Sequence, residues 1–374
     1  MDFMIMMPLG PQLERLWEIS PQEFGILVAA YTFSAGIVGL FGSFFMDRFD
    51  RKHALIFLYI GFLIGTFACA FSTSYDTLLV ARCATGAFGG LLGATVLSIV
   101  GDLTTPLNRS ETMGIIMAAF SAASVFGVPF GLFLADQFSW QTPFLFLGIV
   151  GVPVLALNVM MMPNVKEHMS KAQQKPVALL IEMLAKRNAL TAHVFIVLLM
   201  LGQFSVITFI APYMVSNVGF TEGELAYIYL AGGFVTFFSS PWFGKLADRY
   251  GQYKFFTIVT LLSLIPLWGI TNLPKMNLYA VIVITSFMFI LISGRIIPAM
   301  TMITSSVRPE RRGGFMSINS AIQQLGAGIA SYVAGLIVVK TSSGEYQDYD
   351  MVGYLAITAS LIAIVVARRM KVVS

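Results

Sequence analysis

Two ionisable side chains stand in sequence that offers them little contact with water. Asp2 lies six residues before Pro8 in the apolar opening MDFMIMMPLGP, and Arg82 lies about six residues into the apolar run 77–101, too deep for an ordinary loop cation. A charge inside a bilayer costs about 2.5 to 3.5 kcal/mol on insertion scales, so an ionisable residue there is a functional candidate by default. A carboxylate facing a central cavity can take up and release a proton. Plainer readings exist for both: a solvated residue near the chain start for Asp2, a side chain snorkelling to the interface for Arg82.

Two Asp-Arg pairs form a second group. FGSFFMDRFDRKHA (41–54) and FGKLADRYGQYKFF (243–256) each place Asp-Arg before a tight turn that is followed by a basic residue. Asp47 and Asp248 can cap the positive N-terminus of an adjacent helix, while Arg48, Arg51 and Arg249 can reach carboxylates such as Asp102. A latch of this kind holds one conformation and breaks in another; the alternative is charge that only sets topology. A third group is polar and scattered: Gln203, Arg295, Asn319 and Gln323, of which Asn319 and Gln323 are four apart and share a helix face. Such side chains prefer protein or water to lipid, so they are expected to line a substrate cavity or to bridge helices. Arg295, near the end of its run, can also snorkel. Glycines at 36, 39 and 42, at 86, 89, 90 and 93, and at 127 and 131 recur every three or four residues. They let helix backbones approach closely. Pro129, between Gly127 and Gly131, is expected to bend its helix by removing a backbone hydrogen bond.

No catalytic or metal constellation accompanies these residues. His53, His168 and His193 fall in three separate places, and Cys69 and Cys83 lie inside apolar runs. The phosphate-binding pattern G-x-x-x-x-G-K-[ST] is missing, since Gly244-Lys245 is followed by Leu246. Neither an enzyme, a cofactor nor a nucleotide motor is expected.

The elements that must carry these residues are membrane helices. Hydrophobic residues are 57% of the 374 and charged residues 11%, with a mean hydropathy of +0.80; soluble domains carry roughly 25% charged residues. A spanning helix needs about 20 apolar residues, because its backbone amides can be satisfied only within the helix. Runs free of Asp, Glu, Lys and Arg cover 24–46, 53–75, 112–135, 137–165, 188–221, 225–244, 255–274, 276–294, 313–339 and 351–367, and 77–101 is broken only by Arg82. They are read as passes 2 to 12, with the opening stub as part of pass 1. Eighteen of the 23 cations fall in one set of alternate loops and the tail, against Arg15, Lys275 and Lys340 in the other set. By the positive-inside rule the first set and the C-terminus are cytoplasmic, in a plasma (inner) membrane. The net charge of +4 reflects this topology and does not suggest nucleic acid.

The charged stretch 163–189 divides two six-pass halves, 1–162 and 190–374, and is expected to be a cytoplasmic linker with a short amphipathic helix. The Asp-Arg loops recur at matching points of the halves, and FMIMMPLGPQL echoes FSVITFIAPYM, aligning Pro8 with Pro212. Duplicated halves are the layout of transporters with a midplane site. Pass 7 has 22 residues from Leu190 to Ala211 before its proline, whereas pass 1 has seven before Pro8. That comparison predicts about 15 further residues upstream, with the chain as eleven complete passes and a fragment of a twelfth.

The second loop matches G-x-L-A-D-R-x-G through Gly244, Leu246, Ala247, Asp248, Arg249 and Gly251, which resembles the major facilitator superfamily. The first loop resembles it through Asp47, Arg48, Arg51 and Lys52, with Ser43 and Asp50 where glycines belong. Arg82 with Gly86 is similar to that family's R-x-x-x-G signature, and Gly127-Val-Pro129-Phe-Gly131 to the glycine-proline motif of its proton-driven exporters, without the full double glycine. The nearest likeness is to the drug and sugar efflux branch, of arabinose-efflux-permease type. The resemblance implies an all-α membrane protein of twelve transmembrane helices, and alternating access gated by the Asp-Arg loops. It implies a role for Arg82 in proton coupling. The expected activity is proton-coupled efflux of a small amphipathic solute such as a drug, sugar or metabolite, by a monomer whose partners are substrate, protons and the lipid bilayer. A proton-symporting importer and a non-transporting membrane sensor are the alternatives.

Overall fold

The structure is a computed structural model that describes residues 1–46, 49–103, 123–164, 186–308 and 312–371. Helices dominate it, and the one sheet among the described residues is a two-stranded hairpin, β1 (Val339–Lys340) and β2 (Tyr346–Gln347). Among the described residues, eight helices are long and apolar enough to cross a membrane. They are pass 2 (Pro21–Met46), pass 3 (Arg51–Ala70), pass 4 (Tyr75–Leu103), pass 6 (Thr142–Met161), pass 7 (Arg187–Tyr213), pass 9 (Gln252–Thr271), pass 10 (Leu278–Thr304) and pass 12 (Tyr349–Ala367). Pass 8 (Glu222–Tyr250) and pass 11 (Arg312–Ile337) are as long but carry more charge or more polar side chains, and each meets the first half, pass 8 at Gly233 on Val125 and pass 11 at Gly335 on Gly25. Pass 5 is described from a π-helical turn at Ala123–Gly127 through the helix Val128–Gln137. Pass 1 is two short helices, Asp2–Ile5 and Gly10–Trp17, interrupted at the turn that contains Pro8. A proline there has no amide to donate and its ring crowds the preceding turn.

Local chemistry sets the helix ends. Thr221 and Glu224 form a reciprocal capping box at the start of pass 8, and Asn277 accepts from the Ala280 amide at the start of pass 10. Pass 7 runs through a π-helical turn to Gly219, whose φ of 93° a side chain would resist. Buried hydroxyls close on their own helices. Thr85, Ser205 and Thr208 each donate to the carbonyl four residues back, so they add no unsatisfied donor to the apolar interior. The outer surface is apolar instead, with Phe57, Ile64, Phe71, Met160, Trp242 and Tyr279 exposed. That inversion suits a lipid exterior.

Two faces can be told apart. The hairpin face carries β1–β2 and the ends of passes 1, 5, 7 and 11; the basic face carries the loops rich in Lys and Arg. The largest hydrophobic core draws on both halves and lies toward the hairpin face, with Ile5, Leu9, Leu13, Phe24 and Leu27 packed in one cluster with Val206, Phe209, Ile210 and Val338. Toward the basic face the buried core is built from the second half alone, including Ala189, Phe195, Phe256, Ile303, Phe315 and Ala363. Among the described residues the halves thus share a core at one end, whereas at the other the second-half core is joined by Leu40 of pass 2. Pass 2 against pass 11 forms the spine of that fusion: a Cβ on Gly25 would stand 3.1 Å from the Gly335 Cα, and one on Gly36 2.9 Å from the Ala321 carbonyl. The linker expected over 163–189 falls mainly on residues 165–185, outside the described residues.

Candidate functional site

Pass 1 and pass 4 bring Asp2 and Arg82 together. Arg82 Nη1 donates to Asp2 Oδ2 at 2.7 Å; the arginine is wholly buried and the aspartate 6% exposed. Snorkelling is therefore not what Arg82 does. Its guanidinium lies 4.6 Å over the Tyr31 ring of pass 2 and 6.0 Å from that of Phe144 on pass 6. Aromatic faces stabilise a desolvated cation on the sides the carboxylate does not cover. Hydrogen bonding is incomplete: Asp2 Oδ1 accepts no hydrogen bond, and Arg82 Nε and Nη2 donate none. A pair so deeply desolvated is held by the strength of one short charge-assisted contact.

Phe3, the residue after Asp2, stacks on Tyr31 at 5.4 Å between centroids and meets Phe204 of pass 7 at 5.8 Å. An aromatic layer thus runs from the ion pair across to the second half. Phe3, Tyr31 and Phe204 are not distinguished in the sequence, because nothing in their spacing sets them apart among the 49 aromatic residues of the chain. The cation over the ring is visible only once passes 2 and 4 are packed.

The glycine-proline motif of pass 5 faces the same helix. A Cβ on Gly127 would lie 2.7 Å from Met1 Sδ, and one on Gly131 2.6 Å from Ile5 Cδ1. Pro129 stands in the first turn of Val128–Gln137, directly after the π-helical turn, so the irregularity expected around it is a wide turn just before the proline.

At the basic face, Asp47, Arg48 and the side chain of Asp102 lie outside the described residues, and with them the expected Arg51–Asp102 pairing. Arg51 opens pass 3 and is buried. Asp50, which replaces a motif glycine, caps that helix by accepting from the Lys52 amide at 2.9 Å. The equivalent turn in the second half uses Gly251 at φ 88° instead. There, Gln252 Nε2 donates to Asp248 Oδ1 at 2.8 Å across the turn between passes 8 and 9, and Arg249 lies 5.7 Å from the Tyr250 ring.

The polar residues of the second half do not form one cluster of contacts. Arg295 is wholly buried, donating to the Gly202 carbonyl of pass 7 at 2.8 Å and to Ser360 Oγ of pass 12 at 3.0 Å. It ties three helices of its own half together. Gln203 follows Gly202 and precedes Phe204, with Oε1 buried and unbonded. Asn319 is wholly buried on pass 11, neither amide atom hydrogen-bonded, and Gln323 is half-buried one turn on.

Comparisons with known proteins agree with this architecture. The sequence profile described as Major Facilitator Superfamily matches residues 1–210 and 193–373. The chain is 23% identical over 342 residues to the uncharacterized MFS-type transporter YceJ of Bacillus subtilis (strain 168), covering 91% of this chain and 86% of that one. It is 23% identical over 334 residues to the quinolone resistance protein NorA of Staphylococcus aureus (strain MSSA476), covering 89% and 85%. Among solved structures, a D-xylose-proton symporter superposes with a TM-score of 0.78 at 16% identity over 97% of this chain and 93% of that one. An inward-facing, unoccupied bacterial homolog of the human lysosomal transporter Spinster gives 0.75 at 16%, over 98% and 93%. The repeated halves, the spanning helices and the profile match over nearly the whole length place this chain in the Major Facilitator Superfamily.

Proposed function

We propose that the chain is a secondary transporter that exports a small amphipathic solute in exchange for protons, by alternating access between its two halves. The observation that carries this reading is the buried Asp2–Arg82 pair at 2.7 Å. While Asp2 is ionised the pair is neutral overall and holds pass 1 against pass 4. A proton on Asp2 leaves the Arg82 guanidinium with only the Tyr31 face to compensate it, and stranding one partner of a buried pair is destabilising. The helices then gain by rearranging, which couples proton binding to conformation. The aromatic layer of Phe3, Tyr31 and Phe204 transmits that movement to pass 7. In this reading Gln203, Asn319 and Gln323 offer polar contacts to the solute, and Arg295 fixes the pass 7 wall from behind.

The basic face is read as cytoplasmic, from the bias of the cations. The Asp-Arg loops there, with Asp47, Arg48, Arg51, Asp102, Asp248 and Arg249, act as the cytoplasmic gate. Similarity to a quinolone resistance protein supports efflux over uptake. Flux in proteoliposomes under an imposed pH gradient tests the direction: solute moving against the proton gradient supports exchange, and solute moving with protons makes the chain a symporter. Asp2→Asn should abolish gradient-driven transport and spare solute exchange; driven transport that survives removes Asp2 from the mechanism.

A further inference from the structure

The seam at the hairpin face holds a second buried carboxylate, apart from the Asp2–Arg82 site. Glu14 sits near the end of pass 1 with its side chain 1% exposed. Its Oε2 accepts from Lys340 Nζ at 2.9 Å and from the Tyr346 hydroxyl, both on the hairpin that joins passes 11 and 12. Oε1 is buried without a hydrogen bond. Asn217, just past pass 7, fastens the hairpin from behind: its amide donates to the Tyr346 carbonyl and its oxygen accepts from the Tyr346 amide, each at 2.8 Å. Next to Glu14, Arg15 points to Glu222 at the start of pass 8, at 2.6 Å. Pass 1 therefore presents a minus and a plus charge to a plus and a minus charge of the other half. No displacement that separates the halves at this face can keep either pair.

We propose that the 339–347 hairpin is the lid of the hairpin-face gate, that Glu14 latches it, and that the Glu14–Lys340 pair breaks and re-forms in each transport cycle. The proposal rests on the alternating-access reading above. The two partners are not equivalent. Lys340 keeps 30% of its side chain in solvent, whereas Glu14 has almost none. Loss of the carboxylate leaves a lysine that can turn to water; loss of the lysine leaves a buried anion with one hydroxyl donor. Tyr346 cannot replace the cation, because a phenol donates a hydrogen bond without carrying a positive charge. Burial and the adjacent Glu14 push its phenol far above the usual range, so it stays a neutral donor. The charged or titratable groups that touch Glu14 are Lys340 and Tyr346, and Arg15 beside it is engaged by Glu222.

The test uses the full chain in liposomes, with Cys69→Ala and Cys83→Ser as background and spin labels at Gln22→Cys and Ser342→Cys, read by electron-electron distance distributions. Lys340→Met should lower the ratio of short to long distances by about tenfold or more, because the closed state then buries an uncompensated carboxylate. Glu14→Gln should lower it by less than about threefold, and Glu14→Gln with Lys340→Met should match Glu14→Gln alone. Acidification should restore the short distance in Lys340→Met, where a proton can neutralise Glu14, and should do so in neither variant that lacks the carboxylate. Equal effects of the two single substitutions, additive effects in the double, or a pH response independent of Glu14 would overturn the latch. A chain that carries no solute in the flux assay but shows this distance pattern would instead refute the transport reading and leave the latch standing.

Discussion

A charge inside a membrane helix announces itself by residue type, but its partner does not. Arg82 stands out in its apolar run, yet Asp2 lies 80 positions away and only the crossing of passes 1 and 4 joins them. Because the pair is buried, the two ends should answer differently to substitution. Arg82→Gln strands the buried Asp2 carboxylate without its cation, and should lower stability by about 3 to 5 kcal/mol, read as a fall in the thermal midpoint in detergent. Asp2→Asn leaves a guanidinium that still has the Tyr31 face, and should cost less. An equal or larger loss for Asp2→Asn would mean that the rings contribute nothing to holding the cation. Tyr31 itself was beyond reading from sequence, since a tyrosine in an apolar run gives no sign of whether its ring meets lipid or a cation.

At the scale of elements, the recurring glycines were visible as stripes, and the tertiary structure sorts them. A Cβ on Gly86 would fall 2.2 Å from the Tyr31 carbonyl, and one on Gly90 2.5 Å from that of Ala35, so pass 4 lies almost backbone to backbone on pass 2. Gly93, in the same stripe, has nothing within 4 Å of that position. Gly86→Val should therefore force passes 2 and 4 apart and sharply reduce folded protein recovered in detergent, while Gly93→Ala should be recovered at the wild-type level and gain helix propensity. Similar losses for both would show that the stripe acts through flexibility rather than contact. Pass 1 carries the same lesson in another form. Its break at the turn containing Pro8 is a finding of the structure, and the packing of Gly127 and Gly131 on Met1 and Ile5 shows which neighbour the broken helix meets.

For the whole molecule, the described residues form one core shared by both halves toward the hairpin face and a second-half core, joined by Leu40 of pass 2, toward the basic face. Arg15 and Glu222 bridge the halves where the shared core meets that surface. A bifunctional thiol reagent joining Arg15→Cys to Glu222→Cys should hold this face shut and stop solute flux, with cleavage of the linker restoring it; undiminished flux in the cross-linked protein would show that this face need not open. The amino-acid sequence by itself determined that the chain is a membrane protein of helical passes, how its cations divide between two faces, and that its two halves repeat. Those properties follow from hydrocarbon thickness, backbone satisfaction and local charge, all of which act along the chain. It also marked Asp2, Arg82 and Arg295 as anomalous, because burial of charge is costly wherever it occurs. Only the tertiary structure decided that Arg82 is held by Asp2 and an aromatic face, that Arg295 ties passes 7, 10 and 12, and that Glu14 meets a hairpin more than 320 residues away. Pairing of that kind depends on which helix faces which, and helix contacts in lipid are selected by close fit over distances that no local pattern records.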